Sequence, residues 1–171
     1  MNDLKLQECG KELKKQKLTI AFAESATAGR LSAEFSMLPD SGKFLTGGLV
    51  CYDACLKQDI LGVPEELIKK YTPESAEVTS ELARRLPSLI KSDIQVAVTG
   101  LTTEGGSETP EKPVGTMFIH IIIKGKEIKL RKEFKGSPEQ IVLQTVEEVA
   151  GAILNIIKPP TPKGGERILA D

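Results

Sequence analysis

The segment that most constrains the fold is the apolar run Leu18-Thr19-Ile20-Ala21-Phe22, which passes directly into Ala23-Glu24-Ser25-Ala26-Thr27-Ala28-Gly29. A short run without polar alternation reads as a strand buried on both faces, and burial on both faces demands packing layers above and below the sheet. The small and hydroxyl-bearing residues that follow predict a strand-to-helix turn, with a second helix over about 27–35. Such a turn exposes a hydroxyl and aims unpaired helix amides at negative charge. Ser25 is therefore the best nucleophile candidate in the chain. The bland alternative is an N-cap serine worth about 1 kcal/mol, a role open to Thr27 as well.

The rest of the chain extends this pattern. Leu6, Cys9 and Leu13 share one face of a helix over residues 2–16. Residues 44–52 read as a second strand, in which Gly47 and Gly48 permit close approach of a backbone or ligand. Asp53 is placed to cap a helix over 54–61, and Pro64 opens another to about 70. A helix over 74–90 carries Pro87, which predicts a kink or an early end. Residues 94–98 form a short strand, followed by a loop over 99–113. Residues 114–123 and 127–134 pair as a hairpin with one wet face. A last helix spans 138–157 on the stripe Val142, Val146, Val149, Ile153 and Ile157. Early strand–helix alternation with a late hairpin predicts a three-layer α/β/α single domain with a mixed sheet over residues 1–158, and a flexible tail over 159–171.

Bulk properties exclude several classes. Lys and Arg number 23 against 24 acidic residues, for a net charge of −1, and aromatics are only 4% with no Trp. Neither a basic surface nor a base-stacking platform is available, so no direct nucleic-acid partner is expected. No apolar stretch approaches the roughly 20 residues that span a bilayer, and the polar N-terminus is unlike a signal peptide, so no membrane partner is expected. Cys9, Cys51 and Cys55 read as free thiols of a reducing cytoplasm, without ligand spacing for a metal. No Walker or dinucleotide-binding glycine pattern is present, and no cofactor is expected. Exposed apolar ends of the hairpin or last helix fit a homo-oligomer.

The chain has one histidine, His120, inside a strand, where alternation alone explains it. A histidine-based triad thus has almost no material, and lysine is the remaining base. Tyr52 and Lys57 flank the predicted strand-to-helix junction, at the same sheet edge as Ser25. Desolvation would free the lysine amine, and a tyrosine hydroxyl can relay a proton. Alternatively Lys57 is a surface residue and Tyr52 caps the core. Glu24 is a ligand contact, an ion-pair partner or a strand-end charge. Gly100, Gly105 and Gly106 allow loop amides to face an anion, although Glu104, Glu108 and Glu111 oppose one unless turned away.

These residues together resemble a known family, the CinA C-terminal domain and the nicotinamide-nucleotide amidohydrolases (PncC). Ala23-Glu24-Ser25-Ala26-Thr27-Ala28-Gly29 resembles its Ala-Glu-Ser-Cys-Thr-Gly-Gly. Residues 44–57 resemble its Phe-x-Gly-Gly…Tyr-Ser-Asn-x-x-Lys segment. Thr99-Gly100 opens, and Lys112-Pro113-Val114-Gly115-Thr116 closes, its ligand loop. The resemblance covers about residues 5–157. It implies hydrolysis of the carboxamide of nicotinamide mononucleotide to nicotinic acid mononucleotide and ammonia. It implies Ser25 as nucleophile, Lys57 as base, Tyr52 as assisting hydroxyl and Thr99 near the centre. The expected substrate shell is Glu24, Thr27, Gly48, Gly100, Gly105 and Lys112. Departures fall in that shell. Ala26 and Ala28 replace Cys and Gly, Leu101-Thr102-Thr103-Glu104 replaces Ile-Ala-Gly-Pro, and Gly136-Ser137-Pro138 with Val142 stands where arginines are usual. A catalytic trio in an altered shell also fits an inactive small-ligand-binding or protein-interaction domain.

Overall fold

A computed structural model of the chain describes residues 4–158; the expected tail over 159–171 lies outside the described residues. The elements, in chain order, are α1 (Leu4–Gln16), β1 (Ile20–Glu24), α2 (Arg30–Ser36), β2 (Leu45–Val50), α3 (Ala54–Asp59), α4 (Glu65–Tyr71), α5 (Ala76–Arg85), β3 (Ile94–Gly100), β4 (Thr116–Ile123), β5 (Lys126–Glu133) and α6 (Pro138–Ile157). The strand order is β2-β1-β3-β4-β5. β1 pairs in parallel with both β2 and β3, while β4 and β5 add antiparallel. The sheet is therefore mixed, as expected.

Strand alternation divides the apolar residues between two cores. Ile20 and Phe22 of β1, with Val96 and Val98 of β3, face α1, α2 and α6. Ala21, Ala23 and Ala97 face the other way, onto Val78, Leu82 and Ala83 of α5 and Ile68 of α4. Small residues on this second face let α5 sit close to the sheet. Helices thus cover both faces, completing the three layers.

Several expectations shift in detail. The helix after β1 starts at Arg30, three residues later than predicted, because residues 25–29 form a turn that ends in Ala28 and Gly29 at φ 47° and 94°. Both lie in the left-handed region, which no helix can continue through. The expected break at Pro87 is found: α5 ends at Arg85 and a 3-10 turn spans Leu86–Ser88. Asp53 caps α3 by accepting from the Cys55 amide. On α6 the buried stripe is Ile141, Thr145, Val146, Val149, Ala150, Ile153 and Leu154, so Val142 sits at its margin. α6 also corrects the expectation about apolar length. By length and composition it could cross a membrane, but here its stripe packs into the core.

The topology fixes where a site can form. β1, β2 and β3 run parallel, so Ser25, Cys51-Tyr52 and Gly100-Leu101 leave the sheet at one edge. The connection leaving β1 turns through α2 to β2 on one side, and the one leaving β2 crosses back through α3–α5 on the other face to β3, which opens a crevice at that edge.

Candidate active site

A cavity of about 210 Å³ occupies that crevice, lined by Ser25, Ala26, Tyr52, Glu74 and the loop from Gly100 to Gly106. Ser25 is fixed from behind: its amide donates to the Val98 carbonyl at 3.0 Å, extending the β1–β3 ladder by one residue. Alternation sends its side chain to the α5 side of the sheet, whereas Glu24 points to the α2 side.

Lys57 lies one turn into α3 and is fully buried. Its Nζ stands 3.1 Å from Ser25 Oγ, 2.9 Å from the Cys51 carbonyl and 3.3 Å from the Tyr52 carbonyl. No carboxylate among the described residues lies within ion-pair distance of it. Burial without a counter-ion pushes the lysine below its ordinary value of 10.5. The three partners suit either protonation state. An ammonium donates to both carbonyls and to the serine. A neutral amine donates its two hydrogens to the carbonyls and turns its lone pair toward the serine O–H. That second arrangement activates a hydroxyl.

Tyr52 corrects one expectation. Its carbonyl, not its phenol, meets the dyad, and the residue is 63% exposed. The hydroxyl makes no hydrogen bond to a described residue; it lines the cavity mouth. Thr99 is buried on the α5 side, with its Oγ1 2.8 Å from Thr79 Oγ1. The Thr79 hydroxyl donates to the Ser75 carbonyl at 2.6 Å, so Thr99 is the donor to Thr79. It braces α5 against β3.

The expected substrate shell is largely occupied by the protein itself. Glu24 is fully buried and its carboxylate accepts five hydrogen bonds: from Thr27 Oγ1, the Gly29, Leu31 and Ser32 amides, and Ser32 Oγ. It fills the N-terminus of α2, the position where sequence reasoning placed an anion site. Thr27, its donor, is committed with it. Gly48 faces this same cluster: a Cβ there would lie 1.9 Å from Ser32 Oγ, so the glycine admits α2, not a ligand. Gly100 lines the cavity, and its lack of a Cβ lets β4 pass, since a Cβ would meet the Thr116 carbonyl at 2.7 Å.

Lys112 is also committed. Its Nζ donates to Thr72 Oγ1 at 2.7 Å, the Glu74 carbonyl at 2.9 Å and Ser107 Oγ at 2.7 Å, which uses all three ammonium hydrogens. It clamps the loop to Thr72, a β-branched residue held at φ 70°. The Gly105 amide donates to Glu108 Oε1 at 2.8 Å. Local sequence could not show these contacts of Lys112, because Thr72 and Glu74 lie 40 and 38 residues away.

His120 stands apart from the cavity, buried, with Nδ1 2.6 Å from Ser80 Oγ and burial lowering its pKa. It belongs to the α5–β4 packing, as its alternation predicted.

Known proteins share this fold. The CinA C-terminal domain family matches residues 3–157. A CinA-like protein of Thermotoga maritima is 39% identical over 142 residues, covering 82% of this chain and 34% of that protein. A putative competence-damage inducible protein of Desulforudis audaxviator is 33% identical over 137 residues, covering 80% of this chain and 33% of that one. The chain thus spans about a third of the length of these relatives. Among solved structures, a CinA superfamily protein from Escherichia coli superposes with a TM-score of 0.83 at 25% identity, covering 91% of this chain and 93% of that chain. One from Klebsiella pneumoniae reaches a TM-score of 0.85 at 24% identity, covering 90% and 96%, which speaks to the fold. The chain belongs to the CinA C-terminal domain family.

Proposed function

We propose that the chain is an amidohydrolase in which Ser25 and Lys57 cleave the carboxamide of an N-ribosylated nicotinamide. Nicotinamide mononucleotide is the member of that class implied by the family resemblance. The observation that carries the reading is the buried Lys57 Nζ at 3.1 Å from Ser25 Oγ, with no counter-ion beside it. Neutral Lys57 takes the Ser25 proton as Oγ attacks the amide carbon. The resulting ammonium then protonates the amide nitrogen, and ammonia departs from an acyl-serine ester. Water attacks that ester with Lys57 again as base, releasing the carboxylic acid. The Ala26 amide, which has no hydrogen-bond partner among the described residues and belongs to the cavity lining, is the donor available to the oxyanion.

Ligand binding without turnover is the second reading, favoured by the Tyr52 hydroxyl standing free of Ser25. Ammonia release from nicotinamide mononucleotide or its riboside, by wild type and Ser25→Ala, separates the two. The amidohydrolase reading expects release that the variant loses. Equal release by both, or none by wild type, rejects it.

A further inference from the structure

The cavity's charge is one-sided. The ionisable side chains on its lining are Tyr52, Glu74 and Glu104, and no Lys, Arg or His is among them. Glu74 receives a hydrogen bond from Ser107 Oγ on one carboxylate oxygen, and the other oxygen has no partner among the described residues. Glu104 is exposed at the loop and pairs with no described cation. Of the nearby lysines, Lys57 is fully buried behind Ser25 and has no surface toward the cavity, and Lys112 has spent its three hydrogens on Thr72, Glu74 and Ser107.

The loop amides are occupied as well. Gly105 is at φ 93°, the left-handed conformation that turns successive amides toward one point. That point holds Glu108: the Gly105 amide donates to its Oε1, and its Oε2 lies 3.5 Å from where a Cβ of Gly106 would project. The backbone amides of Gly105, Glu108 and Gly106 hold this carboxyl below the usual carboxylate range. An anionic group seeking the Gly105 amide would have to expel Glu108, beside a cavity whose charged lining residues are Glu74 and Glu104.

We infer that the cavity takes a carboxamide whose remaining body is neutral or cationic and carries no phosphate, with the Glu108 carboxylate occupying the loop position an anionic ligand group would need. This rests on the amidohydrolase reading and narrows its substrate. Within that class, nicotinamide riboside carries a positive pyridinium and no phosphate, whereas the mononucleotide adds a dianion. Pyridinium is attracted by Glu74 and Glu104, and phosphate is repelled by them.

The test compares nicotinamide riboside and nicotinamide mononucleotide on the full chain. Steady-state ammonia release should give a kcat/KM for the riboside at least about tenfold higher, with the gap narrowing as salt rises. Calorimetric binding of both compounds to Ser25→Ala reads the same preference without turnover. Tighter riboside binding with no ammonia from wild type would leave the ligand preference standing and remove the hydrolase reading. Equal or tighter mononucleotide binding, or binding of neither compound, overturns the inference. Glu108→Ala, which frees the loop amides on an exposed residue outside the dyad, should shift the ratio several-fold toward the mononucleotide. An unchanged ratio overturns the role given to Glu108.

Discussion

The floor of the cavity and its wall treat their polar groups differently. Behind the floor, against Ser25, Lys57 is buried among two carbonyls and one hydroxyl, a set that tolerates loss of its proton. In the wall, Lys112 is bound by three oxygens, two from the α4–α5 connection and one from its own loop, and Glu108 accepts from the Gly105 amide. Both lysines are lowered by desolvation and both are pulled back toward the charged form by Glu74, but Lys57 is fully buried whereas Lys112 is half-buried. Depth of burial, and whether the hydroxyl partner faces the cavity, thus separate a reactive lysine from a structural one. A fully buried lysine set against a cavity hydroxyl can give its proton away and act on that hydroxyl; a half-buried one spent on loop oxygens only fastens the loop.

The largest effect that could break this contrast is on turnover. Lys57→Met removes the base while keeping an unbranched side chain of similar length, and amide hydrolysis should fall by about 10³-fold or more with the fold retained. Circular dichroism with an ammonia assay checks both halves. Next comes Glu24→Ala, on the opposite face of β1 from Ser25. It strands the buried amides of Gly29, Leu31 and Ser32 and should cost about 3 kcal/mol in denaturant unfolding, since several donors lose a charged acceptor at once. A loss under 1 kcal/mol, roughly one ordinary hydrogen bond, would show the cap to be dispensable. Lys112→Met should act on the wall alone: about 1 kcal/mol of stability, and a rise in KM larger than any fall in kcat. A fall in kcat matching that of Lys57→Met would erase the distinction between the two lysines. The smallest effect is expected of Tyr52→Phe, whose hydroxyl touches neither member of the dyad; kcat should stay within about threefold, against the hundredfold or more typical of a lost acid–base group.

The fold and the dyad were legible in the sequence for different reasons. Apolar runs at 20–24 and 94–98 and the stripe of α6 announce buried elements because burial leaves no polar residue in place. Ser25 and Lys57 were paired by elimination, since a single histidine in a strand leaves lysine as the base. Their contact then follows from two parallel strands ending at the same edge. The surrounding shell was not legible in the same way. Glu24 and Ser25 are neighbours in sequence, but the pleat sends them to opposite faces, so a motif that reads as one site is split into a helix cap and a nucleophile. Tyr52 presents its backbone to the dyad because the chain turns outward at the end of β2. Lys112 and Glu108 find partners through loop closure, which residue types alone do not encode.

The central claim is that Lys57 gives up its proton beside Ser25 at working pH. Nitrogen-detected NMR of the Lys57 Nζ across a pH titration, run beside the rate of Ser25 acylation by an activated ester, tests it most directly. A pKa depressed in the folded chain means that the amine becomes a base as pH rises through the lowered midpoint, so the acylation rate should climb through that same midpoint and then level. The expected result is a Lys57 midpoint below 10.5 that coincides with the rise in acylation. A midpoint at or above 10.5, or acylation indifferent to it, would contradict the claim.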